Sequence, residues 1–223
     1  MKSTTRLIFV ALGAAFVSAG CFSGAYALAT ANDSGSSEII SREIAWDNST
    51  SLTLGVRSVV RYVQAPGVGK VVARGPHRSV STLVVGNGEI RDELLHTGAT
   101  LEIVVTAPAI SSFRLGAGSR LSIEGYDQPK LFVSTEGKAS VDAVGRVNDV
   151  TVEMQGSGTV NLARLSADTA YASIGGMSTL VLAPLQGANL NVRNYASAVL
   201  VTRPKELTSA LADSGRVVDA TAL

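Results

Sequence analysis

The segment Asp149–Leu165, DVTVEMQGSGTVNLARL, contains the pattern that predicts the fold of this chain. Alternating apolar residues from Val150 to Met154 lead into Gly156-Ser157-Gly158, and a second alternation begins at Val160. Alternation of apolar and polar side chains is typical of half-buried β-strands, and small residues between two such runs indicate a tight turn. Turns of this kind mark an architecture if they recur, whereas a single one would be a candidate ligand loop.

The turn recurs in degenerate form through the second half of the chain. Successive turns are marked by Gly118, Gly137, Gly158, Gly176 and Ser197, at intervals of 19, 21, 18 and 21 residues. Each unit of about 20 residues contains a strand, a small-residue turn, a second strand and a polar link, which is in the range of solenoid repeats. One unit cannot bury its apolar face alone, so the sequence predicts stacked coils with parallel strand pairing, an all-β parallel β-helix.

The alternation within the coils predicts two columns of inward-facing side chains. One column is expected to contain Leu115, Val133, Val152, Ile174 and Val192, and the other Leu121, Val141, Leu162, Leu182 and Val201. Further strands are predicted at Ser51–Val56, Val59–Gln64, Lys70–Ala73, Val80–Val85, Thr100–Thr106 and Ser112–Leu115. Residues 43–112 are therefore expected to form entry coils or a β-cap, residues 113–207 the regular coils, and residues 208–223 a C-terminal cap.

Residues 1–29 are predicted to be a signal peptide. Two basic residues precede the apolar run Leu7–Phe22, and small residues that fit a cleavage site follow it. The run is shorter than the roughly 20 apolar residues of a spanning helix. Cleavage is expected after Ala27 or Ala29, which places the mature chain in the periplasm, at the outer membrane or outside the cell. Residues 30–42 are expected to be a flexible polar leader.

Cys21 offers an alternative to this cleavage point. Ser18-Ala19-Gly20-Cys21 resembles the lipobox of bacterial lipoproteins, in which the cysteine carries a lipid anchor, although the lipobox prefers leucine where Ser18 stands. Cys21 is the only cysteine of the chain. The folded domain therefore has no disulfide, and burial of apolar side chains has to stabilise it.

The charge balance argues against a nucleic-acid partner. The chain has 19 basic and 18 acidic residues, and removal of Lys2 and Arg6 leaves 17 basic residues against 18 acidic ones. No basic field remains to attract a polyanion. The mature chain also has no second apolar span, so the expected partner is a protein or a cell-surface polymer.

Several segments outside the turns resemble one known family. They are Ala45-Trp46-Asp47 with Ser51–Leu54, Val59–Gln64 with Gly67 and Lys70–Pro76, Leu101–Ile103, Pro204–Leu207 and Ser214–Val217. Together with the GxG turns they make residues 43–218 similar to the family of putative auto-transporter adhesin head GIN domains. This resemblance implies a right-handed, single-stranded parallel β-helix and a non-catalytic module of the cell envelope or the secreted fraction, with no ligand attached to the family.

The sequence offers no clear catalytic, cofactor or metal site. His77 and His96 lie among polar residues, and neither has a second histidine or a cysteine at metal-ligand spacing. Gly67-Val68-Gly69-Lys70 lacks the four-residue spacer and the following Ser or Thr of a phosphate loop. Asn48-Ser49-Thr50 fits a glycosylation sequon but is expected to be a plain turn.

A carbohydrate-active enzyme is the rival interpretation, because parallel β-helices often carry polysaccharide lyases and hydrolases. Such enzymes need clustered carboxylates or an acidic calcium site. The charged residues of the coils are Asp142, Asp149, Glu153, Asp168, Arg146 and Arg164. No two of the carboxylates recur at equivalent positions of successive coils, and 11 aromatic residues in the chain leave few for sugar-stacking platforms.

The sequence thus predicts an exported, non-catalytic β-helical module for adhesion, interaction or scaffolding. The alternatives are the carbohydrate-active enzyme and a structural envelope protein that self-associates through the ends of the β-helix. Trp46 and Tyr62 are expected to cap the first coil, because the ends of a solenoid expose strand edges and need covering. Exposed, these two residues would instead be anchors for a partner.

Overall fold

The computed structural model describes residues 38–94, 100–116 and 118–222, all within one compact unit, Gly35–Leu223. Its strands are β1 (Ile39–Ala45), β2 (Ser51–Leu54), β3 (Ser58–Gln64), β4 (Lys70–Pro76), β5 (Leu83–Gly86), β6 (Glu89–Asp92), β7 (Leu101–Ala107), β8 (Ser112–Leu115), β9 (Arg120–Gly137), β10 (Ser140–Gly156), β11 (Thr159–Ile174), β12 (Thr179–Leu182), β13 (Pro184–Val192), β14 (Ser197–Leu200), β15 (Glu206–Leu211) and β16 (Arg216–Asp219). Helix α1 (His77–Ser81) and a 3₁₀ turn (Ala220–Ala222) complete the elements. The predicted signal peptide, Cys21, His96 and residues 30–37 of the predicted leader lie outside the described residues.

The strands stack into two parallel ladders. Ladder A runs through β7, β3, the first halves of β9, β10 and β11, then β12, β14 and β16. Ladder B runs through β6, β2, β8, the second halves of β9, β10 and β11, then β13 and β15. The predicted parallel β-helix is confirmed, as a solenoid of about five turns with coils of about 20 residues.

The long strands β9, β10 and β11 belong to both ladders because each bends at a corner between them. The register slips at this corner, between Ala143 and Gly145 in the pairing of β10 with β9. Gly145 has φ +146°, and a Cβ there would lie 2.1 Å from the carbonyl oxygen of Tyr126 in the preceding coil. The Tyr126 backbone approaches too closely for a side chain at Gly145, so this position of β10 requires glycine.

A second corner, between ladder B and ladder A, carries one left-handed residue in each coil. These residues are Gly137 (φ +62°), Gly156 (φ +111°), Gly176 (φ +75°), Asn194 (φ +59°) and Asp213 (φ +56°). We refer to this set as the left-handed column. Asn and Asp are the residues after glycine that adopt this conformation most readily, so the column continues through the last coils without glycine.

The left-handed column corrects the turn markers taken from the sequence. Gly137 and Gly176 are members, but Gly158 lies two residues after the member Gly156. Ser197 pairs with Thr179 inside ladder A, and Gly118 lies one residue beyond the aligned position. Gly118 is left-handed (φ +85°) but out of line with the column, whereas Gly158 and Ser197 are not left-handed, and composition does not show which of several small turn residues is.

The inward-facing columns are real, but the predicted register slips by two residues between coils. In ladder B, one column contains Phe113, Val133, Val152, Ala172 and Leu190, and the next contains Leu115, Thr135, Met154, Ile174 and Val192. In ladder A, Leu121 and Val141 are followed by Val160, Leu180 and Ala198, whereas Leu162 and Leu182 lie further along their strands. Val201 is exposed and follows the end of β14, so its assignment to the interior was wrong. Every second residue of a strand faces inward, so a two-residue slip leaves the alternation unchanged.

The N-terminal segment forms both entry coils and a cover for the stack. The coil of β2 and β3 lies between the coil of β6 and β7 and the coil that begins at β8, so the order in space differs from the order in the chain. Antiparallel β4 and β1 extend ladder A beyond β7, and antiparallel β5 extends ladder B beyond β6. Strand β1 begins at Ile39, inside the predicted leader. The strand predicted at Val80–Val85 was wrong in its first half, where α1 ends at Ser81.

Trp46 and Tyr62 are both buried, at different depths in the stack. The indole nitrogen of Trp46 donates to the carbonyl oxygen of Ser49 at 3.1 Å, and Trp46 packs against the turn between β3 and β4 at Gly69. Tyr62 lies inside the second coil, with β7 on one side of its strand and β9 on the other, and its ring meets that of Phe113 edge-on at 5.2 Å. Trp46 thus covers the entry region, whereas Tyr62 belongs to the core.

The segment expected to be a C-terminal cap is the last coil. β15 pairs in parallel with β13, and β16 pairs in parallel with β14. All six residues of β15 are exposed. Leu207 and Leu211 occupy the same columns as buried Ala188 and Val192 of the preceding coil, yet about half of each leucine is exposed. The interior of the solenoid therefore reaches the surface at this end.

The close packing of the left-handed column can be tested with two glycines that are both left-handed, of which only one has backbone atoms close to its Cβ position. A Cβ at Gly176 would lie 2.2 Å from the carbonyl oxygen of Gly156, whereas Gly125 (φ +64°) has no atom within 4 Å of its Cβ position. We expect Gly125→Ala to lower the free energy of unfolding by about 1 kcal/mol, the cost of the left-handed conformation alone. Gly176→Ala should lower it by about 3 kcal/mol or more because a backbone clash is added. Urea denaturation measures both, and equal losses would contradict the close packing of the column.

Candidate functional site

The charged coil residues that the sequence singled out do not converge on one site. Asp142 faces outward from ladder A, whereas Asp149 and Glu153 face outward from ladder B. Their neighbours in the adjacent coils are Ser122 and Asn161 for Asp142, Lys130 and Thr169 for Asp149, and Ser134 and Ser173 for Glu153. The register partners of these three carboxylates are therefore polar or basic, and none of those partners is a second acid.

The histidine and the glycine-rich turn that the sequence singled out lie at ordinary structural positions. His77 is exposed at the first position of α1. Gly67-Val68-Gly69-Lys70 forms the turn between β3 and β4, where the Lys70 ammonium lies 3.1 Å from a Glu43 carboxylate oxygen. Within residues 38–94, 100–116 and 118–222, no group of three or more His, Cys, Asp or Glu side chains could hold a metal ion. The helices in this part of the chain are too short and too polar to cross a membrane.

An open groove on the outward face of ladder B is the candidate site, and we call it the aromatic groove. Its volume is about 390 Å³, in the range of about 300–1,000 Å³ that small-molecule sites occupy. It is lined by Ser111, Ser112, Lys130, Leu131, Phe132, Asp149, Thr151 and Tyr171. The lining comes from three successive strands, β9, β10 and β11, with the start of β8 at one end.

Two aromatic rings stand in one column of the groove. Ser112, Phe132, Thr151 and Tyr171 are paired in register, so the two rings are two strands apart with Thr151 between them. Strand spacing in a sheet makes this separation about 10 Å. Tyr171 is 50% exposed, so part of its ring is open to solvent. The guanidinium carbon of Arg114 lies 5.3 Å from the centre of the Phe132 ring, which holds that ring in place.

Two charged side chains of opposite sign flank this column. Lys130 and Asp149 are register partners in the neighbouring outward column, one strand apart. The hydroxyl of Thr169 donates to a carboxylate oxygen of Asp149, which fixes that side chain. Among the described residues no carboxylate lies within 4.0 Å of the Lys130 ammonium, so this cation faces the groove without an ion-pair partner.

The backbone under the groove is held by buried polar contacts. The hydroxyl of Tyr126 donates to the carbonyl oxygen of Lys130 at 2.5 Å. The side-chain amide of Gln128 donates to the carbonyl oxygen of Ile110 at 3.2 Å, and the hydroxyl of Tyr62 accepts from the amide of Ile110 at 3.2 Å. These hydrogen bonds fix the backbone at Lys130 and at Ile110. A ligand in the groove would therefore meet a preorganised surface.

Sequence reasoning missed this site, although its parts were visible. In the sequence Asp149 is one of several dispersed acids, and the low number of aromatic residues in the whole chain argues against sugar platforms. The two rings coincide only when Phe132, Thr151 and Tyr171 are placed in register. The slip of two residues in the predicted register hid their alignment.

One protein family matches most of the chain. The family described as "Putative auto-transporter adhesin, head GIN domain" matches residues 69–218. The chain belongs to this family. The match covers all strands from β4 onward and ends at Val218, one residue before the end of β16. The segments from Trp46 to Gln64 that resemble the family therefore lie in front of the matched range. The head GIN domain of this chain is therefore the regular solenoid together with most of its entry region.

Solved structures share the fold of this head GIN domain at low sequence identity. A putative adhesin from Bacteroides fragilis NCTC 9343 has a TM-score of 0.60 and 16% identity, covering 81% of this chain and 95% of its own. A putative lipid binding protein from Parabacteroides distasonis ATCC 8503 has a TM-score of 0.52 and 12% identity, covering 81% and 96%. A putative adhesin from Parabacteroides merdae ATCC 43184 has a TM-score of 0.51 and 10% identity, covering 81% and 95%. The comparison with curated proteins finds no match.

The buried tyrosines beneath the groove predict a loss of stability in alkali. Burial, with a smaller contribution from neighbouring Tyr62, raises the pKa of Tyr126 far above its ordinary value of 10.0. Above about pH 10 the unfolded chain loses the phenol proton that the folded chain keeps, so the free energy of unfolding falls as the pH rises. Urea denaturation at a series of pH values should show this decline. Tyr126→Phe should make it shallower.

The matched control for this prediction is Tyr195→Phe, which removes a hydroxyl from a side chain that is 73% exposed. Its pH profile should follow that of the unaltered protein. A profile for Tyr126→Phe that is as steep as that of the control would contradict the role of the buried phenol.

Proposed function

We propose that this head GIN domain is an exported, non-catalytic module of the cell envelope or the secreted fraction, and that it adheres to a partner through the outward faces of the solenoid. The aromatic groove is the observation that carries the proposal. It places two rings and two opposite charges on the solvent side of a rigid ladder, and such side chains are typical of recognition surfaces. The adhesin descriptions of the family and of two structural neighbours support the same role.

The composition of the groove favours binding over catalysis. Asp149 is the one carboxylate among the eight lining residues. Hydrolysis of a glycosidic bond by the usual route needs two carboxyl groups that face each other across the bond. Glu153 lies four residues along the same strand and outside the lining, so it does not complete such a pair. A single acid held by a threonine hydroxyl is suited to accepting hydrogen bonds from a ligand.

Export rests on the N-terminal sequence. Residues 1–29 carry the pattern of a signal peptide, with cleavage expected after Ala27 or Ala29 and lipidation of Cys21 as the alternative. Either outcome delivers the domain to the envelope or beyond it, where an adhesive surface meets its partner. A chain without disulfides suits this place because the apolar columns stabilise the fold in any redox environment.

Export and adhesion can be tested with the full chain produced in a bacterial host. We expect the protein in the periplasmic, membrane or extracellular fraction, and a mature mass that corresponds to one of the cleavage points above. Beads coated with the mature protein should be retained on bacterial or epithelial cell surfaces more strongly than beads coated with heat-unfolded protein. A cytoplasmic, unprocessed chain, or equal retention of both kinds of beads, would refute the proposal.

The last coil supports self-association as a second role. Leu207 and Leu211 are half exposed in columns that are buried elsewhere, and β15 has β13 as its strand partner on one side only among the described strands. An apolar surface beside a free strand edge is complementary to a copy of itself, as in a two-fold contact between identical subunits. A second copy that stacks end to end would bury both features.

This second role predicts association that depends on concentration. Sedimentation equilibrium should show an average mass above that of the monomer as concentration rises. A variant with Leu207→Lys and Leu211→Lys should remain monomeric because two buried charges would oppose stacking. Val68→Lys, which alters an 86% exposed residue at the opposite end of the solenoid, is the control and should associate normally. A monomeric unaltered protein at all concentrations would exclude the role.

A further inference from the structure

The outward column of the aromatic groove has the geometry of a platform for sugar rings. Phe132 and Tyr171 stand about 10 Å apart, since two strand spacings separate them. This separation matches the length of two linked pyranose rings in an extended chain. The ladder fixes the separation of the two Cα atoms through its backbone hydrogen bonds, so both rings start from points a fixed distance apart.

Tyr171 presents its ring on the solvent side of ladder B. The side chain is 50% exposed on a strand whose inward positions are taken by Ala170 and Ala172, so its ring contributes little to the core. Aromatic rings present a flat face of negative potential, and the axial C–H groups of a sugar present a complementary apolar face. A half-exposed ring beside Thr151 offers such a face at the groove.

The two charged side chains that line the groove favour a ligand without net charge, since Arg114, whose guanidinium lies on the Phe132 ring, is not among the lining residues. Lys130 and Asp149 are neighbours in register, so the fields of the ammonium and the carboxylate largely cancel at a distance. A polyanion would meet Asp149, and a polycation would meet Lys130, each at a cost. Hydroxyl groups, in contrast, can donate to the carboxylate and accept from the ammonium at the same time.

We propose that the aromatic groove binds a neutral, β-linked glycan, whose alternate sugar rings stack on Tyr171 and Phe132 while ring hydroxyls bond to Asp149 and Lys130. The β-linkage follows from shape, because it gives an extended chain with flat apolar ring faces, as a straight column of strands requires. The inference deepens the proposed adhesive function by naming the class of its ligand. Ser112 and Thr151 supply further hydroxyls along the floor of the column.

Affinity electrophoresis of the mature protein tests the ligand class. Gels contain hydroxyethyl cellulose, xyloglucan or glycol chitin as neutral β-linked probes, and pullulan as the α-linked control. We expect at least one β-linked polymer, but not pullulan, to retard the protein, and calorimetry with cellohexaose or chitohexaose should then give a dissociation constant. Failure of every β-linked probe would overturn the inference, as would equal retardation by pullulan.

Single substitutions test the platform itself. Tyr171→Ala should weaken binding about tenfold or more, the factor that corresponds to the loss of one aromatic contact at the centre of an interface. Phe132→Ala should act in the same direction, and Asp149→Asn should weaken binding by removal of the charged acceptor. Tyr195→Ala removes a 73% exposed tyrosine from the turn between β13 and β14 and should bind as the unaltered protein does. Unchanged urea denaturation of Tyr171→Ala would show that its fold is intact, and unchanged glycan binding by that variant would refute the platform.

The outcomes separate this inference from the proposed function. If folded protein adheres to cells while no β-linked glycan binds, the adhesive function stands and the ligand class is wrong. Release of new reducing ends from a bound glycan would support the ligand class and contradict the non-catalytic role. Co-flotation with phosphatidylcholine vesicles, in the absence of glycan binding, would assign the groove to lipid and overturn the inference.

Discussion

Each coil has to bring the chain back to a point one strand spacing further along the axis, and this return constrains every other feature of the molecule. Parallel ladders tolerate little error in it, because the backbone amides of each strand bond alternately to carbonyls of the preceding and the following coil. The left-handed column Gly137, Gly156, Gly176, Asn194 and Asp213 performs the return at one corner, with spacings of 19, 20, 18 and 19 residues. The last members add side-chain contacts that glycine lacks. In the orientation that satisfies both neighbours, the amide of Asn194 donates to Asp213 at 3.1 Å and accepts from the Gly176 amide at 3.2 Å, which links three successive coils.

The existence of the coils can be predicted from the sequence, but the register between successive coils cannot. The presence of coils follows from the alternation and the small-residue turns, because each is a local pattern that repeats. The alignment of one coil with the next depends on which turn residue is left-handed, and Gly156-Ser157-Gly158 offers two glycines to choose from. The predicted column placed Val152 with Ile174, although Ile174 belongs with Met154 and Val152 with Ala172. The site suffered from the same error, since the groove exists only as an alignment of Phe132 with Tyr171.

Tertiary contacts explain why part of the N-terminal segment differs from the sequence-based prediction. The run Val80–Val85 has the composition of a strand, but α1 ends at Ser81, where the Arg42 guanidinium donates to the carbonyl oxygens of Ser81 at 3.3 Å and Leu83 at 3.2 Å. The guanidinium belongs to β1, almost 40 residues earlier, so no local sequence pattern predicts this contact. The hairpin of β5 and β6 had a readable signal, however. Asn87 (φ +52°) and Gly88 (φ +72°) form the two-residue turn that an Asn-Gly pair between apolar runs predicts.

The same constraint that fixes the coils makes the outward face suitable for recognition. Inward side chains are confined by the coils on both sides, whereas an outward side chain can change without disturbing the ladder. The spacing between outward side chains is nevertheless set by the backbone, so a pair such as Phe132 and Tyr171 is held at a fixed separation at little cost in entropy. A ligand with its own regular repeat gains most from such a surface, because each further repeat meets an identical spacing. This fixed backbone spacing is the physical basis of the proposal that the ligand is an extended polymer.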